Sequence, residues 1–241
     1  MQEFLLEYDD NHNKLMGRTK YSFGVLYQKA GQSTEGEIFG NIEHSEKFGE
    51  FVRLLGEPRP IEQEESDQQR LDMLRAYVIK ETEDMSLKFY VLTYMPHSRT
   101  DNQQCFRKAR IGNCVVSVVF QESGATFCPD IITSQFLHVY VVVQPVTSQD
   151  GDQYRVSVVT KKDVPDFGPK MNSIETFNLQ TIDVFIKKLI EAEQASYRTG
   201  KLAFLRQRYR HSGLTTLVQK LDTAIVQETE VDNKWRVCTV L

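Results

Sequence analysis

The segment Phe136–Gln144 (FLHVYVVVQ) is apolar at nearly every position. A strand with water on one face alternates polar and apolar side chains, so a strand without alternation has to be covered on both faces. The segment therefore predicts a central strand in a sheet clothed by helices. Val115–Phe120 (VVSVVF) predicts a second buried strand of the same kind. Further strands are expected at Phe4–Tyr8, Lys20–Gln28, Arg75–Glu81, Ser86–Tyr94 and Tyr154–Thr160, with the TED of 82–84 as a hairpin turn.

Between the strands lie helical patterns. Ser33 or Thr34 offers an N-cap for a short turn through Ile38 and Phe39. From Ser45, apolar residues fall at Phe48, Phe51, Val52, Leu54 and Leu55, and Gly56 with Pro58 ends the run. Thr100 and Gln103 fit a capping box, with Asp101 in the first turn of a helix running to Ile111 and broken by Gly112. Leu179–Ala195 and a more polar stretch, Lys201–Gln227, complete the set, while 57–70 and 162–171 read as loops. Strands and helices interspersed over one sheet give the α/β class: a single domain with a central mixed β-sheet flanked by helices. The expected division is a main domain over 1–210 and a helical extension and tail over 211–241.

Bulk chemistry removes several classes. With 241 residues and a formal net charge of -4, the chain has no overall pull toward nucleic acid. No run reaches the roughly 20 apolar residues that span a bilayer. The opening MQEFLLEYDD is acidic and its apolar part is short, which is unlike a secretory signal. Cys105, Cys114, Cys128 and Cys238 form neither a CxxC pair nor a Cys/His zinc pattern, so reduced thiols in a cytoplasmic protein and no bound metal are expected. Phosphate-loop, dinucleotide, nucleophile-elbow and HExxH motifs are all missing, and no cofactor is expected. His138, inside an apolar strand, reads as a hydrogen-bonded core histidine before it reads as a ligand or base. Asp9–Asp10 and Glu64–Glu65 read as solvated surface.

One segment carries more. Residues 103–121 read QQCFRKARIGNCVVSVVFQ. Arg107, Lys108 and Arg110 cluster on the last turns of the expected helix, where cations complement the helix dipole. Asn113 follows Gly112 where helix gives way to strand, and its plain reading is a cap or turn residue.

The segment resembles the RKRHIGND signature of the Rap GTPase-activating protein (RapGAP) family. FGVLYQKAGQSTEGEIF (23–39), FGEFVRLLG (48–56), FLHVYVVVQ (136–144), VSVVTKKDVPDFGP (156–169) and FIKKLIEAEQASYRTGKLAFLRQR (185–208) resemble its other blocks in the same order. The resemblance covers roughly residues 4–210. It implies the family's G-domain-like catalytic fold and a cytoplasmic activator of a Rap-type small GTPase in its GTP form. The family supplies an asparagine in trans, not an arginine finger, and that asparagine aligns with Asn113. A carboxamide both accepts and donates hydrogen bonds, which suits it to holding a water in line with a γ-phosphate. Arg107, Lys108 and Arg110 then become candidates for contact with acidic surface on the GTPase. Any Mg²⁺ belongs to the partner's nucleotide site.

The sequence also departs from the family pattern. The family histidine is Arg110, the aspartate after the asparagine is Cys114, and a basic residue is Ala109. The RGGLD block reads QQRLD (68–72), and FGPP reads FGPK. These changes leave open a non-catalytic Rap-binding module and a GAP for a Rheb- or Ral-type GTPase. Family members also carry an N-terminal β-rich dimerisation subdomain of which little is expected here, so dimerisation is not carried over. Finally, Cys238-Thr239-Val240-Leu241 fits a prenylation signal, without the polybasic stretch that usually accompanies one. Membrane association is expected only if Cys238 is modified. A coincidental cysteine is the plainer reading.

Overall fold

The computed structural model describes residues 19–59, 77–148, 151–169, 175–177 and 181–204. The expected strand at Phe4–Tyr8, the tail over 211–241 and Cys238 lie outside them, as does Lys201–Gln227 beyond 204. The chain divides into two compact units, Met1–Ser196 and Tyr197–Leu241. In the second, residues 200–204 are helical.

The described residues of the first unit form eight strands: β1 (Thr19–Gln28), β2 (Glu57–Arg59), β3 (Tyr77–Glu81), β4 (Met85–Val91), β5 (Val116–Gln121), β6 (Val139–Ser148), β7 (Gly151–Thr160) and β8 (Glu175–Phe177). They form one sheet in the order β2-β3-β4-β1-β5-β6-β7-β8. The inner strands β4, β1, β5 and β6 run parallel, and antiparallel pairings extend the sheet at both sides. The apolar runs do sit at the centre: all six residues of β5 are buried, and so are Val139 to Val143 of β6.

Among the described residues four helices clothe the sheet: α1 (Glu35–Phe39), α2 (Glu46–Leu55), α3 (Cys105–Gly112) and α4 (Ile182–Ser196). Side-chain alternation sends each strand's residues to two different cores. On one face Phe120 meets Phe48 and Phe51 of α2, Phe23 lies beside Phe89, and Phe51 lies 6.1 Å from Phe185 of α4. On the other, Leu26, Val119, Tyr140 and Val142 pack with Ile38 and Phe39 of α1 and Ile111 of α3. No helix among the described residues is long and apolar enough to cross a membrane.

Local chemistry sets the element ends. Thr34 and Glu37 form a capping box at α1, and Ser45 caps α2 through the Phe48 amide. Gly56 ends α2 at φ 149°, with the Ile79 carbonyl where a Cβ would stand. The expected strand Ser86–Tyr94 stops at Val91, because Leu92–Tyr94 tightens into a 3-10 turn. The strand expected from Phe136 begins at Val139 instead. The Phe136 and Leu137 amides are taken by the Ser134 hydroxyl, so they cannot join the ladder. His138 is buried with its Nδ1 2.7 Å from the Phe136 carbonyl, in keeping with a core role.

Candidate functional site

The segment singled out in the sequence folds into α3 and the turn that leads to β5. Its start differs from expectation. Thr100 does not cap the helix; its hydroxyl lies 3.2 Å from that of Ser98. Gln104 takes a left-handed conformation (φ 51°, ψ 48°), which delays the first turn to Cys105. That conformation costs energy for a residue other than glycine. It is held by the buried Gln104 amide, which donates to Ser98 O at 2.7 Å and Asp101 O at 2.6 Å and accepts from Ser98 N. Asp101 supplies the cap: its carboxylate accepts from Cys105 N at 2.7 Å and Gln103 N at 2.9 Å. Those amides, Cys105 first, hold the Asp101 carboxyl below its ordinary range. The same carboxylate raises the Cys105 thiol, so this exposed cysteine is not activated.

The helix is seated from beneath. Ile111 packs over Gly24 of β1, where an added Cβ would lie 2.8 Å from the isoleucine methyl. Cys114, at the position of the family aspartate, is buried in the core beside Ile111. Its thiol is pushed up strongly by burial and lies 3.5 Å from Arg110 O. The departure from aspartate therefore exchanges a charged residue for a core anchor.

Arg107 corrects the sequence expectation. It is 1% exposed, and its guanidinium donates to Pro96 O, Phe39 O, Asn41 O and Met95 O at 2.7–2.9 Å. Burial draws its pKa down to about 10. A guanidinium enclosed by four carbonyls joins α3 to the segment after α1 and to the 3-10 turn; it cannot face a partner. Lys108 is also engaged, at 2.8 Å from Glu35 of α1, with 28% of its side chain exposed. Glu35 in turn accepts from Thr133 N at 3.2 Å.

Asn113 and Arg110 are the outward-facing members of the group. Asn113 caps α3 in a near-helical conformation (φ -87°, ψ -8°) and is exposed. Its side chain makes no hydrogen bond among the described residues. Arg110 is exposed on the preceding turn, 5.5 Å from the ring of Phe106, and its charge acts on Tyr90. Burial raises the Tyr90 pKa, and this guanidinium offsets part of the shift. Phe106 is itself 44% exposed. The outer face of α3 thus carries an aromatic ring, a cation and a free carboxamide in succession. The turn behind Asn113 is tied by Ser134, whose hydroxyl donates to Gly112 O at 2.7 Å. No group of three or more His, Cys, Asp or Glu suited to a metal occurs among the described residues.

The family model for Rap/ran-GAP matches residues 38–212. The chain belongs to the Rap/Ran-GAP family. Its similarity to curated relatives agrees: 36% identity over 208 residues to mouse signal-induced proliferation-associated 1-like protein 1, covering 82% of this chain. Chicken GTPase-activating Rap/Ran-GAP domain-like protein 3 is 34% identical over 217 residues, covering 85% of the chain. The chain spans only 12% and 23% of the length of those two relatives. Among solved structures, the TSC2 GAP domain aligns with a TM-score of 0.62 and 25% identity, covering 73% of this chain and 96% of that one. The α/β architecture is therefore that of a Rap/Ran-GAP domain.

Sequence reading singled out Asn113 and the cations but missed the contacts that hold their segment. Gln104, Glu35 and Ser134 act across gaps of six to ninety-eight residues. No local pattern marks such bonds. The one available signal was Asp101, four residues before the true first turn.

Proposed function

We propose that this Rap/Ran-GAP domain stimulates GTP hydrolysis by a Rap-type small GTPase, with the Asn113 carboxamide supplied in trans to orient the attacking water. The observation that carries this reading is the exposed, unengaged Asn113 side chain at the end of a firmly seated helix. Phosphoryl transfer asks little covalent chemistry of the protein and much positioning, so a fixed group that accepts from and donates to one water suffices. A carboxamide does this without titrating. Arg110, with Lys108 at its edge, offers positive charge beside Asn113 to an acidic patch on the GTPase, which favours encounter and register. Arg107 has no part in that contact.

A single-turnover panel tests the assignment: GTP-loaded Rap-, Rheb- and Ral-type proteins, each with and without the chain. Selective stimulation of Rap is the expected result. Stimulation of Rheb or Ral instead would move the substrate within the same mechanism. Binding without stimulation would leave a non-catalytic module that captures the GTPase.

A further inference from the structure

We infer that Ser134 is a positioning residue for Asn113. The inference rests on the reading of Asn113 given above. Ser134 stands 22 residues after Gly112 in sequence, in the loop that leads into β6. Its hydroxyl is used completely. It donates to Gly112 O at 2.7 Å and accepts from Phe136 N at 3.0 Å and Leu137 N at 3.1 Å. The two amides fix the oxygen in place, so its hydrogen is aimed at one target.

That target matters because of covalent geometry. Gly112 O and the nitrogen of Asn113 belong to the same planar peptide unit. Holding the oxygen fixes the plane from which the Asn113 side chain departs. Gly112 has no Cβ, and nothing lies within 4 Å of where one would be, so no side chain at 112 helps to hold this peptide. Residue 112 would otherwise be the loosest point of the helix end, one residue before the proposed catalytic group. On the far side, Cys114 N donates to Ile111 O at 3.0 Å, and the Cys114 side chain is buried. Asn113 is therefore an exposed residue held between two fixed points, and Ser134 provides the one that is not part of its own helix. A carboxamide displaced by about 1 Å loses up to 10²-fold in an oriented reaction, so this restraint bears on turnover more than on binding.

The test compares Ser134→Ala and Ser134→Thr with the unaltered chain and with Asn113→Ala. Steady-state stimulation of GTP-loaded Rap is measured, together with backbone ¹⁵N order parameters. Ser134→Ala is expected to lower kcat about 10- to 100-fold with KM for Rap within about twofold. The order parameters at Asn113 and Cys114 should fall from the rigid range near 0.85. Ser134→Thr keeps the hydroxyl and should restore both. Unchanged order at Asn113, or unchanged kcat beside an inactive Asn113→Ala, would overturn the positioning role. A matching loss in KM that threonine does not rescue would also overturn it, because general unfolding then explains the effect. Full activity of Asn113→Ala would defeat the catalytic reading instead, and the order parameters would still report whether Ser134 restrains the turn.

Discussion

Arg107 and Asn113 lie six positions apart in a segment whose charged residues are all cations, and the structure gives them opposite surroundings. Arg107 enters the protein and satisfies four carbonyls; Asn113 leaves it with its carboxamide free. Helical periodicity alone places a cation on the inner face here, which a sequence reading based on charge would send outward. Charge-assisted hydrogen bonds contribute about 1.5–3 kcal/mol each, less the cost of desolvating the cation. Arg107→Ala would strand those carbonyls, and is expected to cost on the order of 3 kcal/mol or more in urea unfolding. A change within 0.5 kcal/mol, the usual range for surface substitutions, would contradict its enclosed role.

At the level of elements, the question is what holds α3 against the sheet. Gly24 in β1 leaves the space that Ile111 fills, and Ser117 of β5 closes the other side of it. A methyl at residue 24 would force the helix outward. Overpacking of this kind costs about 1–3 kcal/mol, so Gly24→Ala is expected to lower both stability and stimulation of the GTPase. Thermal unfolding and the same hydrolysis assay check the pair; normal values in both would show that α3 has slack at this contact. The elements were well marked where a local rule governs them. The unalternating runs put β5 and β6 at the centre, and the caps at Thr34 and Ser45 opened α1 and α2. They were misread where a nearby side chain competes for backbone groups. Gln104 delays α3, and Ser134 removes Phe136 and Leu137 from β6. The spacing of apolar residues carries no information about a side chain that takes up a backbone group two to six residues away.

The molecule as a whole should weaken on mild acidification. His44 lies among Tyr27, Phe48 and Tyr94, and its Nδ1 is buried without a hydrogen-bond partner. Burial, with Arg53 nearby, lowers its pKa, and burial, with Arg107 and Arg99, lowers that of His97. For a base whose folded pKa lies below the unfolded value, the unfolded chain takes the proton first. Stability is therefore full above about pH 6.5 and declines as pH falls below it. Asp101 and Glu37, whose pKa values the fold lowers, add a separate loss nearer pH 4. Urea titrations at successive pH values should show the first decline, and His44→Phe should flatten it. A slope unaltered by that substitution would place its origin elsewhere.

The central claim is that Asn113 acts on a GTPase held by this domain, and single-turnover hydrolysis of GTP by Rap tests it most directly. The unaltered chain and Asn113→Ala are compared at saturating concentrations, with Rap binding measured in parallel. Removing one oriented group is predicted to cost on the order of 10²-fold or more in rate, with binding retained. Equal stimulation by both proteins would contradict the account, because the exposed carboxamide would then be only a helix cap.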